Sequence, residues 1–222
     1  MTAIPPETIA AAGGAERLAA ARALVARIAG YCFDRRLTEL QGGNMSARVG
    51  DVIVVTPTLA SENDGWRLVA DDTVVHALDG SVIGGDPARV SRENRLHLRL
   101  YRAYPEVGSV FHLHHAEVLA AAASGRWAPG VVHPTADPYG APLVLLEPGL
   151  PAQTEPHDGR VEELLGLVPR ADGAISISPT HGIISVARDV PTNVRAADLL
   201  RQRLEHELIR GRLRAAKRAG AA

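Results

Sequence analysis

His112-Leu113-His114 is the stretch of this chain best suited to hold a cation. Side chains alternate across a β-strand, so residues two apart project to the same face, and neutral imidazole is the commonest side-chain ligand for zinc and related ions. Taken alone, an HxH pair is more often two histidines that share a strand by chance than half of a metal site. His115 falls on the opposite face and reads as structural. A further imidazole, His181, stands in a turn between ISISPT and GIISVA, where Gly182 lets the backbone bend. By itself His181 reads first as a loop histidine. Glu93 opens the helix that precedes the HxH strand, with Asp86-Pro87 on its approach. A carboxylate there can approach a cation or carry a proton, or simply complement the helix dipole.

Local pattern supplies the elements that must position these groups. Residues 1–14 read as a loose arm. Leu18, Ala21, Leu24, Val25 and Ile28 recur at helical spacing and predict an amphipathic helix from Ala15 to about Arg36. ARVGDVIVVTP predicts a hairpin with Gly50-Asp51 at its tip, and Thr73–Leu78 a strand that turns at Asp79-Gly80 into SVIGG. SRENRLHLRLYRAYP predicts a helix that stops before Pro105. VGSVFHLH follows as a buried strand and HAEVLAAAASG as a helix closed by Gly125. Between Trp127 and Pro156 the chain reads as strands and loops, with PLVLLEP the best strand, and VEELLGLVPR as a short helix. AISISPTHGIISVA predicts a second hairpin around Thr180–Gly182, and Asn193–Lys217 a long terminal helix. Helices alternate with mostly hairpin-linked strands and no βαβ crossovers repeat, which predicts a sheet covered by helices. No internal repeat or linker interrupts residues 15–222, read as a single domain.

Composition excludes several function classes. With 222 residues, 46% hydrophobic and 22% charged, the chain has an ordinary globular balance. Its net charge of −1 argues against a general nucleic-acid binder, and the basic RGRLRAAKR near the end reads as a solvated helix terminus. Apolar runs break well short of the roughly 20 residues of a membrane span, and the first residues lack the basic-then-apolar pattern of a signal peptide. Cys32 is the only cysteine, so neither a disulfide framework nor a Cys-rich zinc site is available. It reads as a small buried helix residue suited to a reducing cytoplasm. Five of the nine histidines fall between His97 and His133.

GGNMS at 42–46, VTPT at 55–58, SRENRLH at 91–97, YRAYPEVGSVFHLHH at 101–115 and THG at 180–182 occur in one order that resembles the class II aldolase and adducin family. The resemblance covers about residues 15–210. It implies a three-layer α/β/α fold with a mainly antiparallel central sheet, assembled as a homotetramer with active sites at subunit interfaces. It implies that His112, His114 and His181 hold one divalent ion per subunit, zinc first, with manganese, cobalt or iron as alternatives, and that Glu93 is the acid/base carboxylate. Three neutral imidazoles leave such an ion doubly charged and coordinatively open, able to stabilise enolate-like charge when a bond next to a carbonyl breaks.

Departures from the family pattern bear on the substrate. In the sugar-phosphate members an Asn/Ser loop, a Ser/Thr-Gly pair and two serines cradle phosphate. This chain keeps Asn44, Ser46, Thr58 and Ser91 as substrate-binding candidates, but places Leu59 where the glycine belongs and Arg92 where the second serine belongs. Leu59 adds bulk where backbone approaches an anion, and Arg92 offers a planar fork suited to carboxylate. The expected reaction is therefore carbon–carbon cleavage, aldolase- or decarboxylase-type, of a small carboxylated hydroxy or oxo compound. A sugar-phosphate aldolase or 4-epimerase and a non-catalytic adducin-like module are the competing readings. For the acid that the family draws from a neighbouring subunit, VVHPTADPYG offers His133, Asp137 and Tyr139, and the terminal helix offers His206 or Arg201. His97, one turn after Glu93 on the same side, either braces the site or packs in the core.

Overall fold

A computed structural model describes residues 4–40, 42–123, 144–145, 173–178 and 182–220. The residues read as a loose arm carry a short helix instead, α1 (Pro6–Ala11). Thr8 and Ala12 are buried, and the Asp51 backbone N–H donates to the Ala11 carbonyl at 2.9 Å, so this segment packs on the turn of the first hairpin. Sequence periodicity missed it because six residues are too few to show a repeat. In α2 (Ala15–Asp34), Leu18, Arg22, Val25, Ala26, Ala29 and Gly30 form the buried stripe. The one cation in that stripe is satisfied: Arg22 Nε donates to Thr73 Oγ1 at 3.0 Å, and its guanidinium lies 3.4 Å from Asp71. Cys32 is fully buried and burial pushes its thiol up to about 12, which leaves it inert.

β1 (Asn44–Val49) and β2 (Val52–Val55) pair around Gly50, whose φ of +58° supplies the left-handed turn that a tight hairpin requires. After α3 (Ala60–Asp64), β3 (Val74–Ala77) and β4 (Val82–Gly84) extend the meander, with a register shift between Val75 and His76. α4 (Asn94–Ala103) leads into β5 (Ser109–Leu113), then α5 (Ala116–Ala123). The remaining described strands are β6 (Val144–Leu145), β7 (Gly173–Ser178) and β8 (Gly182–Ala187), followed by α6 (Val190–Ala219). The described strands form one sheet in the order β4-β3-β2-β1-β5-β8-β7-β6, antiparallel throughout except for the β6–β7 pair.

Period-2 alternation sorts the strand residues onto two faces. Ile53, Val55, Val110 and Val186 pack with Leu98, Leu100 and Tyr101 of α4. Val52, Val54, Phe111, Leu113 and Ile183 pack on the other side with Leu18 and Val25 of α2, Val118 of α5, and Ala197, Leu200 and Leu204 of α6. Helices thus cover both faces of a mainly antiparallel sheet. One side-chain cap and one buried amide hold α6 in place. Asp189 accepts from the Thr192 N–H at 2.8 Å, and the buried Asn193 donates to Ser109 Oγ and the Ser185 carbonyl. Past Leu204 the helix runs out into solvent, with Leu208, Ile209 and Leu213 exposed. Among the described residues no helix is long and apolar enough to cross a membrane.

Burial disfavours the charged form of three histidines. Desolvation lowers His76, His97 and His115, and takes His97 to about 3. Each is a base whose folded pKa lies below its unfolded value near 6.5, so below that pH the unfolded chain takes up protons the folded chain refuses. The penalty is absent above pH 6.5 and grows as pH falls, at up to about 1.4 kcal/mol per pH unit for each fully shifted group. The thermal midpoint of chelator-treated protein is expected to fall continuously between about pH 7 and about pH 5. A flat profile over that range would show that these imidazoles are not held neutral.

Candidate active site

β5 places His112 on the face covered by α4, and the chain carries His114 one residue past the strand end. Their Nε2 atoms converge to 3.0 Å, with the rings edge to face at 82°. His112 is 2% exposed, and its Nδ1 lies 3.2 Å from the Ile183 carbonyl. A carbonyl only accepts, so Nδ1 carries the proton and Nε2 presents a lone pair. Two glycines leave room for these rings. A Cβ on Gly182 would come within 2.6 Å of His112 Cε1 and 2.9 Å of the Leu113 carbonyl oxygen, and one on Gly42 within 2.8 Å of His114 Cε1. Gly182 is therefore required for space. The bend it was expected to serve runs through residues 179–181, which lie outside the described residues.

Glu93 stands at the start of α4, and its Oε2 lies 3.6 Å from His112 Nε2. Asn44 Nδ2 donates to the same Oε2 across the gap between β1 and α4. This contact follows from register, because Asn44 pairs directly with His112 in the β1–β5 ladder. Asn44 is 3% exposed, and its Oδ1 has no hydrogen-bond partner among the described residues.

A buried polar layer supports this face. His97, fully buried, holds Ser46 Oγ through Nδ1 at 2.7 Å. The Ser46 hydroxyl also meets Tyr101 OH at 2.8 Å and the Val110 carbonyl at 3.2 Å. Ser46 is corrected accordingly: with no exposed surface and its hydroxyl engaged on three sides, it ties α4 to β1 and cannot face a substrate. His97 lies in the core and is bonded to the Ser46 hydroxyl beneath the candidate site, so its two expected roles are not separated. Next to it, Asn94 Nδ2 lies 2.9 Å from His76 Nε2.

The other expected residues separate. Ser91 Oγ accepts from the Glu93 backbone N–H at 3.3 Å and so steadies that residue. Arg92 is exposed, with no hydrogen-bond or ion-pair partner among the described residues. Thr58 is partly buried, and its N–H donates to the Arg89 carbonyl at 2.7 Å. Arg89 in turn grips Asp64, which fastens the turn around Leu59 to the approach of Glu93. Leu59 adopts φ +54°, ψ +27°, the left-handed shape that favours glycine, and its side chain is half exposed. Glycine would adopt this backbone without strain. Arg201 is held by Asp198 and Glu205 on its own helix, and His206 is exposed. His181, His133, Asp137 and Tyr139 lie outside the described residues, as do Gly125 and the VEELLGLVPR helix.

Sequence reasoning missed Thr38. It is 4% exposed, and its hydroxyl accepts the His114 backbone N–H at 3.2 Å and donates to the Gly42 carbonyl at 3.4 Å. No motif flagged it, because a loop threonine before a Gly-Gly turn carries no spacing signal.

Two nitrogens 3.0 Å apart can share a proton or a cation. Imidazoles bound to one tetrahedral zinc at about 2.0–2.1 Å stand roughly 3.3 Å apart, close to the separation here. The lone pair fixed on His112 and a carboxylate within reach fit the cation use. Among the described residues no group of three or more potential donors is complete, so the described part of the site is this imidazole pair with Glu93 beside it.

Comparison with known proteins adds an independent line. Residues 23–208 match the model of the Class II Aldolase and Adducin N-terminal domain. A methylthioribulose-1-phosphate dehydratase of Sorangium cellulosum is 42% identical over 84 residues, 38% of this chain and 39% of that protein. A 3-oxo-tetronate 4-phosphate decarboxylase of Cupriavidus necator is 32% identical over 117 residues, 52% of this chain and 51% of that protein. The aligned segments thus span about 40–50% of these curated relatives. The sugar-phosphate aldolase structure from Thermotoga maritima superposes with a TM-score of 0.63 at 16% identity, covering 87% of this chain and 96% of that one, which speaks to fold alone.

The glycine packing yields a direct test. Gly182→Ala places a methyl against the His112 ring and the Leu113 backbone, of which only the ring can move. Such overpacking costs about 1–3 kcal/mol, to be read from urea unfolding, and a structure of the variant should show the His112 ring displaced. An unchanged unfolding midpoint would mean that the ring is not held where described.

Proposed function

Since the chain belongs to the class II aldolase and adducin family, we propose that it is a divalent-metal-dependent lyase. Its substrate is a small hydroxy or oxo compound bearing an anionic group, and the bond broken lies next to a carbonyl. The observation that carries this reading is the 3.0 Å convergence of His112 and His114 Nε2 with Glu93 Oε2 3.6 Å from the former. His112, His114 and His181 would hold the ion, zinc first among ions that accept imidazole. A divalent ion there supplies Lewis-acid stabilisation for negative charge on a carbonyl oxygen.

The chain's own groups do the rest. The Ile183 carbonyl fixes the tautomer and ring plane of His112. The Asn44 amide orients the Glu93 carboxylate, which carries the proton that bond cleavage releases or consumes. His133 or Asp137 is the candidate for a second acid at a subunit interface of a homotetramer. Arg92, exposed one residue before Glu93, presents a guanidinium able to bind a substrate carboxylate in a fork.

A second reading, a phosphorylated sugar substrate, has specific support. The curated relatives named above carry phosphate in the names of their substrates, and Leu59 adopts a left-handed backbone that glycine would take without strain. One of those names, 3-oxo-tetronate 4-phosphate, joins a carboxylate to a phosphate, so the two readings can meet in one molecule.

Metal analysis separates this enzyme from an adducin-like binding module. Purified protein should carry the ion, and His112→Ala/His114→Ala should lose it while remaining folded; full metal in the double variant would refute the assignment. Glu93→Gln should keep the metal and reduce turnover by roughly two to four orders of magnitude. Its substrate comes from a screen of hydroxy and oxo acids with and without a terminal phosphate, read as carbon dioxide, aldehyde or water release. Against an acid, Arg92→Ser should weaken apparent affinity by about ten- to a hundredfold, with partial recovery in Arg92→Lys. Faster turnover of a carboxylate-free sugar phosphate by Arg92→Ser would overturn the carboxylate reading in favour of the phosphate one.

A further inference from the structure

His114 stands one residue past the end of β5, beyond the Leu113↔Ile183 pair of the β5–β8 ladder. Its N–H goes to Thr38 Oγ1 at 3.2 Å. The same hydroxyl donates to the carbonyl of Gly42, the residue whose Cα packs against the edge of the His114 ring. One hydroxyl therefore holds both the backbone of His114 and the wall its imidazole rests on. The third side is also fitted. A Cβ on Gly43 would come within 3.1 Å of Thr38 Oγ1 and 2.9 Å of the His112 carbonyl, so the bare glycine makes room for the clasp.

Thr38 is itself anchored on both sides. The Leu37 N–H donates to the Cys32 carbonyl at 2.8 Å, which fixes the loop to the end of α2. The Trp66 indole donates to the Glu39 carbonyl at 2.9 Å, and Trp66 is fully buried. A hydroxyl has one proton and two lone pairs, and here the proton goes to Gly42 and a lone pair to His114. Valine has nearly the same shape and can do neither.

We infer that Thr38 is a positioning residue that sets the direction of the His114 imidazole, and so the affinity and geometry of the cation site. The inference rests on the metal reading above. Its test compares wild type, Thr38→Val and Thr38→Ser by zinc affinity, in competition with a chromogenic chelator, and by the visible spectrum of the cobalt(II) form. Loss of an outer partner of a metal ligand typically weakens binding about ten- to a hundredfold. Thr38→Val should show that loss and an altered cobalt spectrum, whereas Thr38→Ser, which keeps the hydroxyl, should stay close to wild type. Urea unfolding of the metal-free proteins runs beside these measurements. Lower stability of Thr38→Val with unchanged zinc affinity and spectrum would make Thr38 merely structural and overturn the inference, as would a serine variant as weak as valine. Wild type that binds neither ion would sink the metal reading. Amide exchange at His114 would then still decide the clasp, with equal rates in all three proteins overturning it.

Discussion

Register between β1, β5 and β8 is the constraint on which the geometry of the candidate site depends. Asn44 opposite His112, and Leu113 opposite Ile183, put a carboxamide, an imidazole and a backbone carbonyl within reach of one another. Strand side chains have period 2, so a slip of one residue would turn His112 away from α4 and Glu93. The apolar pattern enforces the register, because the same slip would drive Val110 and Phe111 onto each other's faces. The layer that stabilises the sheet therefore also places the reactive groups.

Behind those groups the face covered by α4 is polar as well as buried. Asn44, Ser46, His97 and His112 all lie there at 3% exposure or less. Buried polar groups cost stability unless they are paired, and most of these are paired across elements, Ser46 with His97 and Asn44 with Glu93. Such pairs resist sliding, since moving α4 along the sheet would strand several donors and acceptors at once. A greasy contact would tolerate small shifts; this one holds Glu93 at a fixed height above the imidazoles.

Much of the fold was legible in the sequence, because hairpin turns, periodicity and proline stops are local signals. Both hairpins, α2, the helix after Glu93 and the HxH strand stand where their patterns placed them. The family's motifs, in their order, carried the expectation of helices on a mainly antiparallel sheet. Within the site, the HxH pair and Glu93 were readable because strand alternation and a helix start each fix a direction. Less visible were roles that depend on what a residue touches. Ser46 looked like a loop ligand and is an internal strut; Gly182, read only for its backbone, also makes the space that the His112 ring occupies. Thr38 gave no sign at all, since its importance comes from two partners, one of them 76 positions away. α1 escaped because a helix of six residues owes its form to the hairpin turn beneath it.

Leu59 has a consequence for substitution at this turn. A β-carbon in the left-handed region costs roughly 1–2 kcal/mol, and this turn bears the cost while Asp64 and Arg89 hold its shape. The backbone is thus already in the form that glycine would take. A change of side-chain bulk at this position therefore need not involve rebuilding the loop, with the many coordinated changes that requires. A single substitution, Leu59→Gly, would relieve that strain rather than add to it, and would leave the turn around it in place.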